Sequence, residues 1–331
     1  MNRFLKYSLA FLCPFFILLI SYVLLDPFKV LWHYDNYYVE GDGASVNRSF
    51  VSTMNYLNKR DTYHYDSFIF GNSRSLYYRI NEWKRYIPQN ASCYHFSESG
   101  GSVNGIFFKC RLIDEEKDTI KNALIVLDHD ILERLEQDGH LFMMPPALTG
   151  YRNTILFHTE SFIQWTNLRF LVMWIDYKIT GKYKSYMEDY IAKGTNYSHY
   201  NPITNEEPRS MQDSLIEIGK YYDQIRMKDF RKRQTPSVSS RVLEKERINV
   251  LKKIKQIFDK HHTNYKIIIS PLFDQVKLNP LDYNSLCAVF GEQNVYDFSG
   301  VNKWTCDYHN YYETSHYLPS VASEIMQIIY E

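Results

Sequence analysis

The sequence predicts a three-layer α/β domain, a five-stranded parallel sheet covered by helices on both faces. Three observations carry that prediction. Short apolar runs alternate with helical segments from residue 66 to 130 and again from 240 onward, the rhythm of strands buried on both sides. The alternation stops between 131 and 238, where apolar and aromatic stretches keep helical spacing without strands. Ahead of both, residues 7–25 run for 19 positions without a charge. That predicts one membrane-crossing helix, since about 20 residues span the ~30 Å hydrocarbon core.

Taken in order, residues 1–29 read as a cytoplasmic tail and a transmembrane anchor. Arg3 and Lys6 precede the apolar run, and positive flanks stay in the cytoplasm, so the following domain is expected outside. Pro14 kinks such a helix but is tolerated there. A cleaved signal peptide is the rival reading. Ser21-Tyr-Val-Leu-Leu-Asp-Pro27 offers it no small-x-small cleavage site. Residues 30–65 form a polar, aromatic connector with a helix from Asn47 to Arg60, expected to pack on the outside of the domain.

The domain covers 66–331, with strands expected at 66–70, 92–96, 123–127, 264–270 and 294–298. Ser75 reads as a helix start, and a second helix covers about 103–116. Val242, Ile248, Leu251, Ile254 and Phe258 place one apolar face on a third helix. Pro271 stops the fourth strand, and Pro319 opens a last helix. The insertion at 131–238 is expected to cap the active edge of the sheet. Its stretch 162–179 is helical, and Asn167, Arg169 and Asp176 argue against a second span. The basic run 228–233 reads as a solvated loop, or as a contact for an acidic glycan or lipid headgroup.

Lys and Arg together equal Asp and Glu at 38 each, which gives no basic surface for nucleic acid. The five cysteines show no CxxC pair and no zinc spacing; disulfides and free buried thiols both remain open. The chain holds 29 tyrosines, which reads first as core packing and composition, with a wet, glycan-facing surface as the alternative.

The chemistry gathers in two stretches. In Asp66-Ser-Phe-Ile-Phe-Gly-Asn-Ser-Arg-Ser75, an apolar strand meets Gly71, which permits a sharp turn, and Ser73 follows. That places a serine hydroxyl at the carboxyl edge of the sheet, where open α/β sheets bind ligands. Serine needs a base, and the base needs an orienting acid. Tyr311-Tyr-Glu-Thr-Ser-His-Tyr317, 243 residues on from the serine, offers both in Glu313 and His316. A phosphate-binding role for the Gly71–Ser75 turn lacks a P-loop or GxGxxG pattern. Asp128-His129-Asp130 after the third strand has no further ligand cluster to make it a metal site.

This layout resembles the SGNH/GDSL hydrolases, whose serine follows strand one in a Gly-Asp-Ser-like block and whose Asp-x-x-His block precedes the final helix. Among them it looks most like membrane-anchored relatives of the alginate O-acetyltransferase and teichoic acid D-alanine transfer type. Gly71-Asn72-Ser73 matches the first block with Asn for Asp, and Glu313-Thr-Ser-His316 the last with Glu for Asp. The resemblance covers 66–130 and 240–331, not the insertion. It implies a flavodoxin-like sheet and a Ser73-His316-Glu313 triad, with no cofactor. It also implies an oxyanion hole from the Ser73 N–H, the N–H of Gly100 or Gly101, and an asparagine. No asparagine follows strand three, and Asn104 is the substitute.

The expected function is an acyl esterase or O-acyltransferase on a cell-surface polysaccharide, in a single-pass protein of a bacterial cytoplasmic membrane. Its partners would be an acylated or acyl-accepting glycan, the bilayer, and a membrane acyl-transfer protein. The alternative is an inactive scaffold of the same fold in polysaccharide assembly or export.

Overall fold

A computed structural model describes residues 2–331 apart from 40, 135–138, 189, 193–198, 225, 231–232 and 234. Two residues of the basic run, Arg231 and Lys232, therefore lie outside the described residues. The N-terminal run forms one helix, α1 (Asn2–Leu25), with Pro14 inside it. Among the described residues, no helix is long and apolar enough to cross a membrane. The connector leads to α2 (Arg48–Tyr63), capped by the Asn47 side chain accepting from the Phe50 N–H. One side of this helix packs on the sheet, with Phe50, Val51, Ser52 and Tyr56 buried, while Asp61, Thr62 and Tyr63 are exposed. Its start is fixed to the sheet by the Ser52 hydroxyl, which donates to the Ser97 carbonyl at 2.8 Å.

The central sheet comprises β1 (Ser67–Gly71), β2 (Cys93–Ser97), β3 (Asn122–Leu127), β4 (Asn264–Ile269) and β5 (Val295–Asp297). All its pairings are parallel, in the order β2-β1-β3-β4-β5. Each expected strand is present, shifted by a residue or two at its ends. Register places Gly71 beside Ser97 and Val126, and Val126 beside Ile268, so the strand ends share one carboxyl edge. The order reverses between β1 and β3, the switch point at which such sheets bind ligands.

Helices cover both faces. On one, α2, α3 (Val103–Glu115), α6 (Lys245–His261) and α7 (Pro280–Phe290) bury Phe68, Phe70, Phe96, Ile125 and Ile267. On the other, Ile69, Leu124, Val126 and Ile268 meet Trp83 and α8 (Pro319–Tyr330). The insertion supplies α4 (Tyr151–Thr166) and α5 (Leu168–Thr180). They form a third apolar cluster with Tyr22, Phe28, Tyr37 and Phe50. The single helix expected over 162–179 is thus two, divided where Asn167 turns the chain and caps α5.

One further expectation changes, and one open alternative is decided. Ser75 does not open an α-helix; Ser73–Tyr77 is a 3-10 turn, followed by the short helix Ile80–Trp83. All five cysteines are free thiols. Many of the tyrosines serve the core, and some of their hydroxyls reach backbone carbonyls, as Tyr94 does to Ser52 at 2.6 Å and Tyr311 to Pro271 at 2.8 Å.

At Gly71, with φ +154, a Cβ would stand 2.8 Å from both the Val126 carbonyl oxygen and the Ser75 Cβ. A Gly71→Ala protein should therefore lose about 1–3 kcal/mol of stability. Urea unfolding of the two proteins checks this, and an unchanged midpoint would contradict it.

Candidate active site

The site is assembled from three chain segments at the carboxyl edge. Ser73, half-buried, follows β1 on the 3-10 turn. Asn72 caps that turn, its Oδ1 accepting from the Arg74 N–H at 2.9 Å while its Nδ2 donates to Asp128 at 2.8 Å. Below the turn, the fully buried His95 on β2 bonds the Ser75 carbonyl at 2.7 Å. Burial lowers the His95 imidazole to about 4, so it stays neutral and serves as a strut.

His316 and Glu313 stand on a small antiparallel hairpin, Tyr311–Glu313 against His316–Tyr317, rather than in an open loop. Its Tyr311, Tyr312 and Tyr317 are buried, which seats the hairpin on the sheet. His316 Nε2 lies 2.7 Å from the Ser73 Oγ. Its Nδ1 contacts a Glu313 carboxylate oxygen. The other Glu313 oxygen accepts from the Ser315 N–H at 2.7 Å. A carboxylate on Nδ1 keeps the ring proton there and leaves Nε2 to accept from serine.

Burial lowers the His316 pKa, and Glu313 opposes that shift in part. Burial alone would raise the Glu313 carboxyl, but its bonds to His316 and Ser315, together with Arg209, hold it below its usual range. The base is thus neutral and the acid charged near neutral pH. Arg209 stands 3.8 Å from Glu313, over the rings of Tyr77 and Tyr312. It comes from the insertion, which therefore does reach the active edge.

Arg74 ties the segments together. Its guanidinium pairs with Asp128 at 2.6 Å and Asp130 at 3.2 Å, and its Nε donates to the Ser315 carbonyl at 3.1 Å. Burial works against its charge, but the two aspartates outweigh that and hold it more firmly protonated than usual. Asp128 also caps the short helix His129–Glu133. The Asp128-His129-Asp130 stretch is therefore an arginine clasp. Among the described residues, no group of three or more acidic, histidine or cysteine side chains is placed to hold a metal ion.

The glycine loop after β2 is pinned from below. Glu98 and Lys109 form a buried pair at 2.7 Å, and the second Glu98 oxygen accepts from the Ser102 N–H at 3.0 Å. A Cβ on Gly101 or Gly105 would fall within 3 Å of the Glu98 carboxylate. The Gly101 N–H donates to the Ser99 carbonyl at 2.8 Å. Gly101 adjoins the nucleophile turn, its Cβ position 3.2 Å from that of Asn72. Asn104 sits half-buried in the first turn of α3, the helix that the glycine loop leads into. Two clefts flank this centre. One, of about 250 Å³, is lined by Arg74, Asp130, Ser270 and Asp274. The other, of about 360 Å³, lies between the connector, Ser99 and the insertion.

The arrangement can activate a serine hydroxyl by removing its proton through His316. Of the residues sequence reasoning singled out, Ser73, His316 and Glu313 come together as a connected triad. Arg74 and Asp128 were missed as a pair, although an arginine beside the serine and two aspartates after β3 were a visible signal. Arg209 had none, since no motif surrounds it.

No protein-family model matches this chain, and no curated protein matches its sequence.

Lys109→Met should cost about 3–5 kcal/mol, because it strands a buried carboxylate. The double variant Glu98→Gln, Lys109→Met should recover part of that loss. Chemical unfolding of the three proteins checks this, and equal midpoints would refute it.

Proposed function

We propose that this chain is a membrane-anchored serine esterase or O-acyltransferase of the SGNH/GDSL type, acting on an acylated cell-surface polysaccharide. One observation carries the reading, the unbroken series Ser73 Oγ, His316 Nε2, His316 Nδ1 and Glu313 across 243 residues of chain. In this reading Ser73 attacks the ester carbonyl and its proton passes to His316 Nε2. The imidazolium is stabilised by Glu313. The oxyanion is met by the N–H groups of Ser73 and Gly100, and the proton returns to the leaving alcohol. Water then releases the acyl group as acid, or a sugar hydroxyl takes it. The anchor is α1, with the domain on the outer side of a cytoplasmic membrane.

The inactive-scaffold reading draws support from one feature. Where the family's third oxyanion donor would stand, after β3, this chain has Asp128, whose carboxylate is held by Arg74 and Asn72. Losing one such donor costs about 100- to 1000-fold in rate. That predicts a slow enzyme rather than a dead one while the triad is intact.

The test is labelling of the full chain by a fluorophosphonate probe. Wild type should label, and Ser73→Ala and His316→Ala should not. Glu313→Gln should label about 10⁴-fold more slowly, the order of loss seen when a triad acid becomes an amide. A folded wild type that does not label would transfer the case to the scaffold. The rate should also follow the base form of His316. Since burial lowers that pKa, labelling should persist as pH falls through about 6.5, the value of a free histidine, and decline only below it. A midpoint above that value would contradict the buried, neutral base.

A further inference from the structure

The α5 helix is apolar on two sides, and only one of them has a partner. Phe170, Met173 and Tyr177 face the third core cluster. On the other side Leu168, Val172, Ile175 and Ile179 are 75%, 55%, 48% and 78% exposed. Their spacing of four, three and four residues lines them along one stripe. A helix apolar on opposite sides belongs in a protein core or a membrane. The neighbouring α4 continues the surface with Ile155, Leu156 and Ile163, all exposed.

The charges of α5 are drawn away from the stripe. Asp176 pairs with Lys184 at 2.7 Å, and the Lys178 amine donates to the Gly41 carbonyl at 3.0 Å. Arg169 lies over the Tyr190 ring.

What covers the surface is indicated by what it is joined to. The end of α4 packs on α1: Phe162 meets Phe15 and Tyr22, and the Trp165 indole donates to the Leu18 carbonyl at 3.1 Å. Phe11, Ile17, Ile20 and Leu24 on α1 are exposed as well, so the two apolar surfaces adjoin. Leu18 and Phe15 lie seven and ten residues before Leu25, the last residue of α1. At 1.5 Å per residue, the α4–α5 corner reaches roughly 10–15 Å along α1 from that end. That is about half of a ~30 Å hydrocarbon core. Trp32, just past α1, is exposed with its indole on the Val23 carbonyl, and tryptophan favours the headgroup level.

We infer that the α4–α5 pair is a second membrane element, a wedge whose exposed stripe lies among the acyl chains of the outer leaflet beside α1. The inference rests on α1 being the bilayer anchor. The wedge buries Val172 and Ile175 in lipid without crossing the membrane, and it fixes the domain's attitude to the bilayer.

The test uses the full chain, with Cys13, Cys287 and Cys306 replaced by serine, in vesicles of phosphatidylethanolamine and phosphatidylglycerol. An environment-sensitive fluorophore is attached singly at Val172→Cys, Ile175→Cys, Phe11→Cys on α1, and Asp259→Cys on α6 as the aqueous control. Labels at 172 and 175 should be blue-shifted and quenched several-fold more by nitroxide on lipid acyl chains than by aqueous iodide. The control should show the reverse. Lipid quenching at 11 with iodide quenching at 172 and 175 would overturn the wedge and leave the anchor standing. Iodide quenching at 11 as well would overturn both. Labels at 172 and 175 shielded from both quenchers would overturn the lipid assignment in favour of a protein covering the stripe.

Discussion

Two backbones approach at Gly71 more closely than any side chain allows, and the arrangement of Ser73, His316 and Glu313 is built outward from that contact. The Val126 carbonyl of β3 and the Ser75 side chain fill the space a Cβ would need. This lets β1 end and the chain turn within two residues, so that Ser73 rises directly from the sheet. A wider turn would carry the hydroxyl away from the edge and out of the 2.7 Å reach of His316. The base is placed with equal economy, on a hairpin whose buried tyrosines fix its height above β4 and β1.

Charges then lock these parts in position. Arg74 spans from Ser315 beside the base to Asp128 at the end of β3, joining both halves of the triad to the sheet. Glu98 and Lys109 do the same for the glycine loop. Burying ions costs several kcal/mol each unless they are paired and further hydrogen-bonded. Each of these carboxylates also holds a backbone N–H, of Ile131 and Ser102 respectively. The pairs therefore contribute geometry more than stability, and that geometry holds Ser73 and His316 within hydrogen-bond reach of each other.

Much of the sheet and the triad was legible because both depend on local signals. Apolar runs such as Phe68-Ile69-Phe70 and Ala123–Leu127 carry strand identity in themselves, and their alternation with helices carries the parallel order. Gly71-Asn72-Ser73 and Glu313-Thr-Ser-His316 carry their chemistry in their spacing. What escaped notice depends on contacts between distant residues. The pairing of Arg74 with Asp128 and Asp130, and of Glu98 with Lys109, has no periodic trace. Arg209 reaches Glu313 only through the path of the insertion. Even the single helix expected over 162–179 concealed a break, because the cap at Asn167 reads like any surface asparagine until its backbone turns.

The chain enters the domain at the carboxyl edge of the sheet, the edge that carries Ser73. The first turn of α2 is bonded to Ser97 at the end of β2, so the segment leading from α1 arrives beside the glycine loop, not at the far end of the sheet. In the proposed reading, with α1 in a bilayer, Ser73 would stand on a short tether above that surface. On that reading, a donor carried in the same membrane would meet it at an effective concentration of order millimolar, whatever its bulk abundance. Under such confinement a weak grip on the ground state suffices, and binding energy is free to act on the transition state. The two clefts lined in part by Arg74 and by Ser99, both open to solvent, would suit that regime.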